Sequence, residues 1–232
     1  MKMTVLAGNE SARAPSRRVN HLVITGGSGG LGTAIVARFA LPSWTVAAPT
    51  RAELDICNPA AVRAYFESRE VDLLICAAGV ARDAPLAAID EGDWDEVIAV
   101  NYRAAAACSA AAMPQMIRRR SGHIILISSY SALHPPAGQA AYATSKAALL
   151  GLVASLATQN GPHGIRVNAV LPGFLETRMT DCVSENRKAQ VLSQHTLGRF
   201  NTTAAVAGFI RHLHEDLPHT SGQIFQLDSR IS

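Results

Sequence analysis

Three residues between positions 124 and 151 could together move a proton to or from an oxygen atom. Tyr142 and Lys146 are four residues apart, and residues at this spacing on a helix share one face. A free tyrosine titrates near ~10, and a nearby ammonium group favours the phenolate, so we expect Lys146 to lower the pKa of Tyr142. Ser129 would hold a substrate oxygen against the Tyr142 hydroxyl. The set predicts an acid–base site, although a Tyr–Lys pair by itself is more often a solvated helix face.

The same stretch contains the elements that would position these side chains. Residues 124–127 (IILI) form an apolar run bounded by polar residues, which is typical of a buried strand. The sequence AYATSKAALLGLVASLA is rich in good helix formers and has no interior proline, so it predicts a helix. Ser129 would therefore lie at the carboxyl end of a strand, facing the Tyr–Lys pair on the next helix.

A glycine-rich loop near the N-terminus predicts a phosphate-binding turn. Residues 21–25 (HLVIT) read as a short strand, TGGSGGLG occupies residues 25–32, and a helical segment ends before Pro42. Glycines permit close approach of the backbone, and a helix N-terminus presents unpaired N–H groups to a pyrophosphate. Such a loop alone could be a plain turn, but its place between a strand and a helix favours nucleotide binding.

Strands alternate with helical segments along the chain, so we expect one α/β domain with a Rossmann-type, doubly wound parallel sheet and helices on both faces. We place this domain at residues 21–232, after a loose, flexible extension of residues 1–20. Further strands are predicted at residues 45–48, 54–56, 71–79, 165–173 and 222–227, and helices at residues 59–69, 94–119, 185–195 and 202–214. The connection between the second and third strands is too short for a helix.

The composition excludes several classes of function. The chain has 232 residues, 48% of them hydrophobic, and a net charge of +3, with basic residues scattered apart from residues 118–120. This argues against a nucleic-acid surface. The four cysteines show no metal-ligand spacing, so we predict no metal site and read them as reduced thiols of a cytoplasmic protein. No apolar run approaches the roughly 18 residues of a membrane span, and no secretory signal is evident.

Together, these motifs resemble a classical short-chain dehydrogenase/reductase over about residues 20–228. The matching positions are the TGxxxGxG loop at residues 25–32, Asn101, Ser129, Tyr142, Lys146, Pro172, Gly173 and Thr177.

The resemblance implies a role for each of four catalytic residues. Tyr142 would be the general acid or base, and Lys146 would hold the nicotinamide ribose and lower the tyrosine pKa. Ser129 would orient the substrate oxygen, and Asn101 would support a water that links Lys146 to solvent.

The resemblance also implies a nicotinamide dinucleotide, NADP(H) in preference to NAD(H). No acidic residue ends the second strand and Arg51 follows it, which suits a 2′-phosphate, although Arg51 could be a plain loop residue. Gly29 stands where NADP-preferring members often have a basic residue. The implied cofactor contacts are Gly26, Ser28, Gly29, Gly30, Leu31, Gly32, Arg51, Asp55, Ile56, Ala77, Ala78, Gly79, Tyr142, Lys146, Pro172, Gly173 and Thr177.

Within the family, the segments GVARDAPL, MIRRRSGHIILISS, GQAAYATSKAALLG and PGFLETRMT are similar to 3-oxoacyl-[acyl-carrier-protein] reductases. This similarity implies NADPH-dependent reduction of a 3-oxoacyl thioester, linked to the carrier protein or to coenzyme A, in fatty acid or polyketide biosynthesis. Basic residues at the end of one helix would contact the acidic carrier protein, here Arg118, Arg119 and Arg120; the second basic position is His163. A free ketone or alcohol substrate is the alternative, and a non-catalytic nucleotide-binding scaffold is a remote one.

Other expectations concern the lid, the subunits and two departures from the family pattern. Residues 177–200 would form a mobile substrate lid. Family members usually pack as tetramers, so we expect a homo-oligomer, a dimer or tetramer. Ala77 replaces an asparagine of the family's NNAG motif, and the chain ends LDSRIS where the common form has a glycine pair.

Overall fold

The computed structural model describes residues 18–231, in which six parallel strands form one sheet in the order β2-β1-β3-β4-β5-β6. The strands are β1 (Asn20–Thr25), β2 (Trp44–Ala47), β3 (Leu73–Cys76), β4 (Gly122–Ile127), β5 (Ile165–Leu171) and β6 (Ile224–Gln226). The helices are α1 (Gly30–Arg38), α2 (Pro59–Glu67), α3 (Glu91–Ile98), α4 (Ala104–Arg119), α5 (Ala140–Asn160), α6 (Glu185–Ser193) and α7 (Thr203–Glu215). The predicted doubly wound parallel sheet is confirmed.

Helices cover both faces of the sheet because alternate strand residues point to opposite sides. Val23 and Leu74 belong to one apolar core, against which α2, α4 and α5 pack. Leu22 and Ile75 belong to a second core, which α1 and α7 cover. The inner strands β1, β3, β4 and β5 are largely buried on both sides, as their continuous apolar runs indicate, whereas the edge strands β2 and β6 are partly exposed.

The predicted strand at residues 54–56 is wrong. Residues 48–58 connect β2 to α2 through turns beside the sheet edge, and only Leu54 among 54–56 is buried. Side chains within the loop accept hydrogen bonds from its backbone N–H groups: Glu53 accepts one from Thr50 N, and Asp55 accepts one from Cys57 N. This local bonding replaces a strand ladder, so β2 is the edge strand.

The predicted helix over residues 94–119 is interrupted. Between α3 and α4, the five residues Ala99–Arg103 form a π-helical segment, which contains the buried Asn101. Such a bulge rotates the side chains that follow it, and it is often found at functional sites.

The predicted extension at residues 1–20 lies mostly outside the described residues. Its last residues belong to the fold: β1 begins at Asn20, and Arg18 pairs with Glu70 and Asp72 at 3.1 and 3.2 Å.

One helical stretch contradicts the expectation that no segment could span a membrane. Residues Ala140–His163 are long and apolar enough by length and composition. The apolar residues have another use in this fold, because Leu149 and Val153 of α5 pack into the core against the sheet. Within residues 18–231, no other helix meets the same criterion.

Candidate active site

The structure brings Ser129, Tyr142 and Lys146 together at the carboxyl edge of the sheet. The Ser129 side chain interacts with the Tyr142 hydroxyl, and Lys146 Nζ lies 5.8 Å from the centroid of the tyrosine ring. Lys146 Nζ donates to the Ile127 carbonyl at 2.8 Å, and Ser128 Oγ donates to the Lys146 carbonyl at 2.8 Å. These two bonds fix helix α5 against the end of β4, so the convergence predicted from the spacing exists.

Asn101 joins the same cluster through the π-helical segment. Its side chain holds one loop residue at both backbone groups: Nδ2 donates to Val80 O at 2.9 Å, and Oδ1 accepts from Val80 N at 2.8 Å. Nδ2 also donates to Ser145 Oγ at 3.0 Å. A Cβ on Gly79 would lie 3.4 Å from both Asn101 Oδ1 and Lys146 Nζ, so glycine lets the chain pass closely between them.

The pKa values of Tyr142 and Lys146 differ from what the sequence led us to expect. Burial raises the pKa of Tyr142, a hydrogen bond from Ser129 opposes this, and the Asp83 carboxylate raises it further. The predicted lowering by Lys146 is therefore wrong for the protein without its cofactor. Burial lowers the pKa of Lys146 to about 8. Tyr142 thus remains protonated at neutral pH, which suits a proton donor.

A polar chain not identified from the sequence forms one wall of the site. Ser131 Oγ donates to Gln139 Oε1 at 3.1 Å, and Gln139 Nε2 donates to Asp83 Oδ2 at 2.7 Å. The contact connects the loop after β3 to the turn that precedes α5. Asp83 and Gln139 lie in GVARDAPL and GQAAYATSKAALLG, so the signal was present but assigned no role.

The glycine loop fits a dinucleotide. Gly26 has φ +74°, and a Cβ there would lie 2.6 Å from Ala78 N; a Cβ on Gly30 would lie 2.6 Å from Thr177 Cγ2. Gly29 begins α1 with no side-chain cap, which leaves the helix N–H groups to a ligand. Larger residues at Gly26 and Gly30 would therefore collide with Ala78 and Thr177, so the close packing of this loop depends on glycine.

The other predicted cofactor positions line the same edge. Ala77 N donates to Thr25 O at 3.1 Å, which aligns the turn after β3 with the glycine loop. Gly173 has φ +82° and packs against Asp228. The remaining members lie in the glycine loop (Ser28, Leu31 and Gly32) or in the turn after β5 (Pro172).

The loop after β2, which contains the predicted contacts Arg51, Asp55 and Ile56, begins near the glycine loop. Its first residue, Ala48, lies so close that a Cβ on Gly27 would be 2.6 Å from the Ala48 Cβ. Arg51 is exposed, Asp55 is used to cap its own turn, and Ile56 packs against the core.

A family model described as Enoyl-(Acyl carrier protein) reductase matches residues 22–229. The FabG 3-oxoacyl-[acyl-carrier-protein] reductase of Salmonella typhimurium is 34% identical over 217 residues, which cover 84% of this chain and 89% of that protein. The chain is a short-chain dehydrogenase/reductase. It is therefore an oxidoreductase of a family that binds a nicotinamide cofactor.

Further relatives agree with this assignment. The FabG 3-oxoacyl-[acyl-carrier-protein] reductase of Thermotoga maritima is 38% identical over 69% of this chain and 66% of that protein. A crystal structure of gox2181 superposes with a TM-score of 0.82 at 24% identity, covering 91% of this chain and 95% of the other, which shows the fold alone.

The three arginines expected to bind a carrier protein, Arg118, Arg119 and Arg120, differ from one another in their hydrogen bonds and ion pairs. Arg119 Nη2 donates to Val71 O at 2.6 Å and lies 3.6 Å from Asp72 Oδ1. Arg120 has a left-handed backbone, φ 52°, and donates to Pro162 O at 2.8 Å, next to the predicted second basic position, His163. Among the described residues, only Arg118 of the three has no hydrogen bond or ion pair.

The predicted lid contains α6 and is attached to the body of the dehydrogenase/reductase at both ends. At its start, the Thr177 methyl packs over Gly30. At its end, Thr196 N donates to Ser229 O at 3.1 Å, and Leu197 N donates to Ser229 Oγ at 3.2 Å. The lid end therefore rests on the C-terminal segment.

That C-terminal segment contains a second feature that sequence reasoning missed. Arg230 stacks on Tyr130, with Cζ 3.5 Å from the ring centroid, and its Nε donates to the buried Asp228 at 2.7 Å. Tyr130 follows Ser129 and stacks on His134 at 4.4 Å. The departure LDSRIS thus places a guanidinium beside the loop that contains Ser129, where the family's glycine pair has no side chain.

Proposed function

We propose that this protein is an NADPH-dependent carbonyl reductase that converts a 3-oxoacyl thioester, linked to acyl carrier protein or coenzyme A, into the 3-hydroxyacyl form. The observation that carries the proposal is the Tyr142 hydroxyl, which burial keeps protonated beside Ser129 and Lys146. The similarity to FabG reductases over most of the chain supports the substrate class.

The protein's own residues would position and protonate the substrate. Ser129 donates a hydrogen bond to the carbonyl oxygen, and Tyr142 donates the proton as negative charge develops there. Lys146, held by Ile127 O, has further N–H donors for the nicotinamide ribose. The bound nicotinamide supplies the hydride.

Asn101 keeps the Val80 loop in place at the edge of this site, and it would support the water that connects Lys146 to solvent. The glycine loop and Thr177 would hold the dinucleotide. Arg51 would favour NADP(H), because it is exposed in the loop beside Gly27 and lacks an acidic neighbour at the strand end. We place the enzyme in the cytoplasm as a homo-oligomer.

A free ketone or secondary alcohol is the second candidate substrate, and one observation favours it. Arg119 and Arg120 use their guanidinium groups within the chain, so Arg118 alone of the basic set is free for an acidic carrier protein. A non-catalytic scaffold has less support, because all four catalytic positions are filled.

The test is NADPH oxidation with three substrates that share one acyl group: acetoacetyl carrier protein, acetoacetyl coenzyme A and an unconjugated acetoacetate ester. We expect turnover with at least one thioester at a much higher kcat/KM than with the ester. Turnover restricted to the free ester, or to simple ketones and polyols, would overturn the proposed substrate class while leaving carbonyl reduction intact. Absence of NADPH oxidation with every carbonyl compound would overturn reduction itself.

A further inference from the structure

The dinucleotide loop of this chain lacks a charged side chain of its own. Gly29 occupies the position that is often basic in relatives preferring NADP, and helix α1 has no basic residue in its first turn. A pyrophosphate at this helix N-terminus would meet backbone N–H groups but no cation from the loop. Two negative charges are then left without a partner on the glycine-loop side.

A cationic side chain reaches this loop from the segment that follows β5. Arg178 Nη2 donates to the carbonyl oxygen of Ser28 at 3.0 Å. The residue before it, Thr177, packs its methyl group over Gly30, the first residue of α1. The Arg178 side chain therefore extends over the loop between residues 28 and 30, where the helix N–H groups begin.

The backbone that carries Arg178 is held in a tight turn. Thr177 N donates to Thr180 Oγ1 at 2.9 Å, and Thr180 Oγ1 donates to Leu175 O at 2.8 Å. Arg178 itself is exposed and has no acidic side chain within ion-pair distance among the described residues. Its guanidinium is thus positioned by the turn and keeps its charge available.

We propose that Arg178 binds the pyrophosphate of the dinucleotide and supplies, from the start of the lid, a positive charge that residues 25–32 of the glycine loop lack. The inference rests on the proposed nicotinamide dinucleotide. A guanidinium presents several N–H donors in one plane, so it can contact phosphate oxygens while keeping its bond to Ser28. The pyrophosphate then lies between the N-terminus of α1 and the arginine.

The position favours the pyrophosphate over the 2′-phosphate. Thr177 lies over Gly30, at the helix N-terminus, whereas the loop after β2 contacts Gly27 through Ala48. The 2′-phosphate of NADP(H) belongs beside that second loop, near Arg51. Since NADPH and NADH share the pyrophosphate, Arg178 would contribute equally to the binding of both.

The experiment measures dissociation constants of NADPH and NADH by fluorescence titration, without substrate. For Arg178→Gln we expect both constants to rise by the same factor, roughly 5- to 20-fold, as for loss of one charge-assisted hydrogen bond in a partly solvated site. The salt dependence of binding should also become shallower. Arg38→Gln is the matched control: it removes an exposed arginine from the far end of α1, so both constants should stay within twofold of wild type.

A second variant keeps the charge but changes the geometry of the donors. Arg178→Lys should recover part of the affinity lost in Arg178→Gln, by the same factor for NADPH and NADH, because lysine keeps the charge without the planar set of N–H donors.

Three results would overturn the inference. Unchanged dissociation constants in Arg178→Gln would remove the contact, and a loss confined to NADPH would move it to the 2′-phosphate. An Arg178→Lys variant that binds both nucleotides as weakly as Arg178→Gln would show that positive charge at this position does not contribute to binding. In each case, tight binding of NADPH by the wild type leaves the proposed function standing, whereas a wild type that binds neither nucleotide would overturn both.

Discussion

Two clusters of buried polar groups lie at opposite ends of the strands, and they differ in how their hydrogen bonds are used. At the amino ends, His123 Nδ1 lies 3.2 Å from His214 Nδ1, and Asn168 Nδ2 lies 3.0 Å from His123 Nε2. At the carboxyl ends, Lys146 Nζ uses one of its donors on Ile127 O, and the Tyr142 hydroxyl interacts with the Ser129 side chain. We call the first the closed cluster, because protein partners satisfy its polar groups, and the second the open cluster, because it keeps donors for a ligand.

The closed cluster extends to charged groups as well. Arg166 donates to the carbonyl oxygens of Leu213, His214 and Leu217 at 3.1, 2.8 and 2.9 Å, which holds the end of α7. Burial lowers the pKa of His123 well below its ordinary value and that of His214 to about 4, and Arg166 adds to both effects. Shifted histidines in a sheet core are thus structural here, so burial and a perturbed pKa alone do not identify chemistry.

The largest expected effect is at the open cluster. Tyr142→Phe removes the proton donor, so kcat should fall by about 10³-fold while the NADPH dissociation constant stays nearly unchanged. The matched control is Tyr65→Phe on helix α2, which should leave kcat within twofold of wild type. Retention of more than a tenth of the wild-type kcat in Tyr142→Phe would contradict the assigned role.

The reverse pattern is expected at the closed cluster. His123→Leu removes one hydrogen-bond partner each from Asn168 and His214 in a buried cluster, so the free energy of unfolding should fall by about 2 to 4 kcal/mol. Urea denaturation measures this loss, and kcat per folded molecule should not change. A fall in kcat with unchanged stability would show that the two clusters are not functionally separate.

Acid should destabilise the protein through the same histidines. The unfolded chain binds protons near pH ~6.5, but His214 in the folded protein binds one only at about 4. The unfolded state therefore holds more protons in this window, and stability falls as pH falls from about 6.5 to 4, with about 2 kcal/mol lost by pH 5. In His214→Gln the difference between the unfolding free energies at pH 7 and pH 5 should shrink by about 2 kcal/mol, with the His123 contribution remaining, whereas the exposed His219→Gln should behave as wild type.

A smaller pH effect is expected at the open cluster. Lys146 has a pKa of about 8 in the free protein, so its ammonium donors are lost as pH rises through this value. If these donors hold the nicotinamide ribose, the NADPH dissociation constant should rise about tenfold between pH 7 and pH 9. Fluorescence titration across this range measures the change, and a flat profile would argue against the ribose contact.

The smallest effect concerns the carrier protein. Arg118→Gln should raise KM for a carrier-linked substrate about threefold and leave KM for the coenzyme A thioester unchanged, because an exposed charge adds little to affinity. The loss should shrink at high salt. Equal KM changes for both thioesters would exclude a carrier-specific role.

The sequence predicted the open cluster because its chemistry depends on residue type and spacing along one strand and one helix. Ser129, Tyr142 and Lys146 could be identified together for that reason, and the alternation of strands and helices predicted the sheet. The closed cluster was missed because His123 and His214 are 91 residues apart and meet only through the packing of α7 on the sheet. Tertiary contacts of this kind leave no local pattern.

Two further errors have physical causes. Residues 54–56 are apolar enough for a strand, but side-chain hydrogen bonds to the backbone make the turns self-sufficient at the sheet edge. The pKa of Tyr142 was predicted to be lowered by Lys146, whereas burial raises it. Burial depends on the whole fold, so a pair of residues on one helix could not indicate it.

The most direct test of the central claim uses NADPH deuterated at the nicotinamide C4 position that donates the hydride, with an acetoacetyl thioester as substrate. Mass spectrometry of the product should find one deuterium on the carbon that carried the ketone, formed at an observable rate by the wild type and about 10³-fold more slowly by Tyr142→Phe. A 3-hydroxyacyl product without deuterium, or equal rates in the two proteins, would contradict hydride transfer assisted by the Tyr142 hydroxyl.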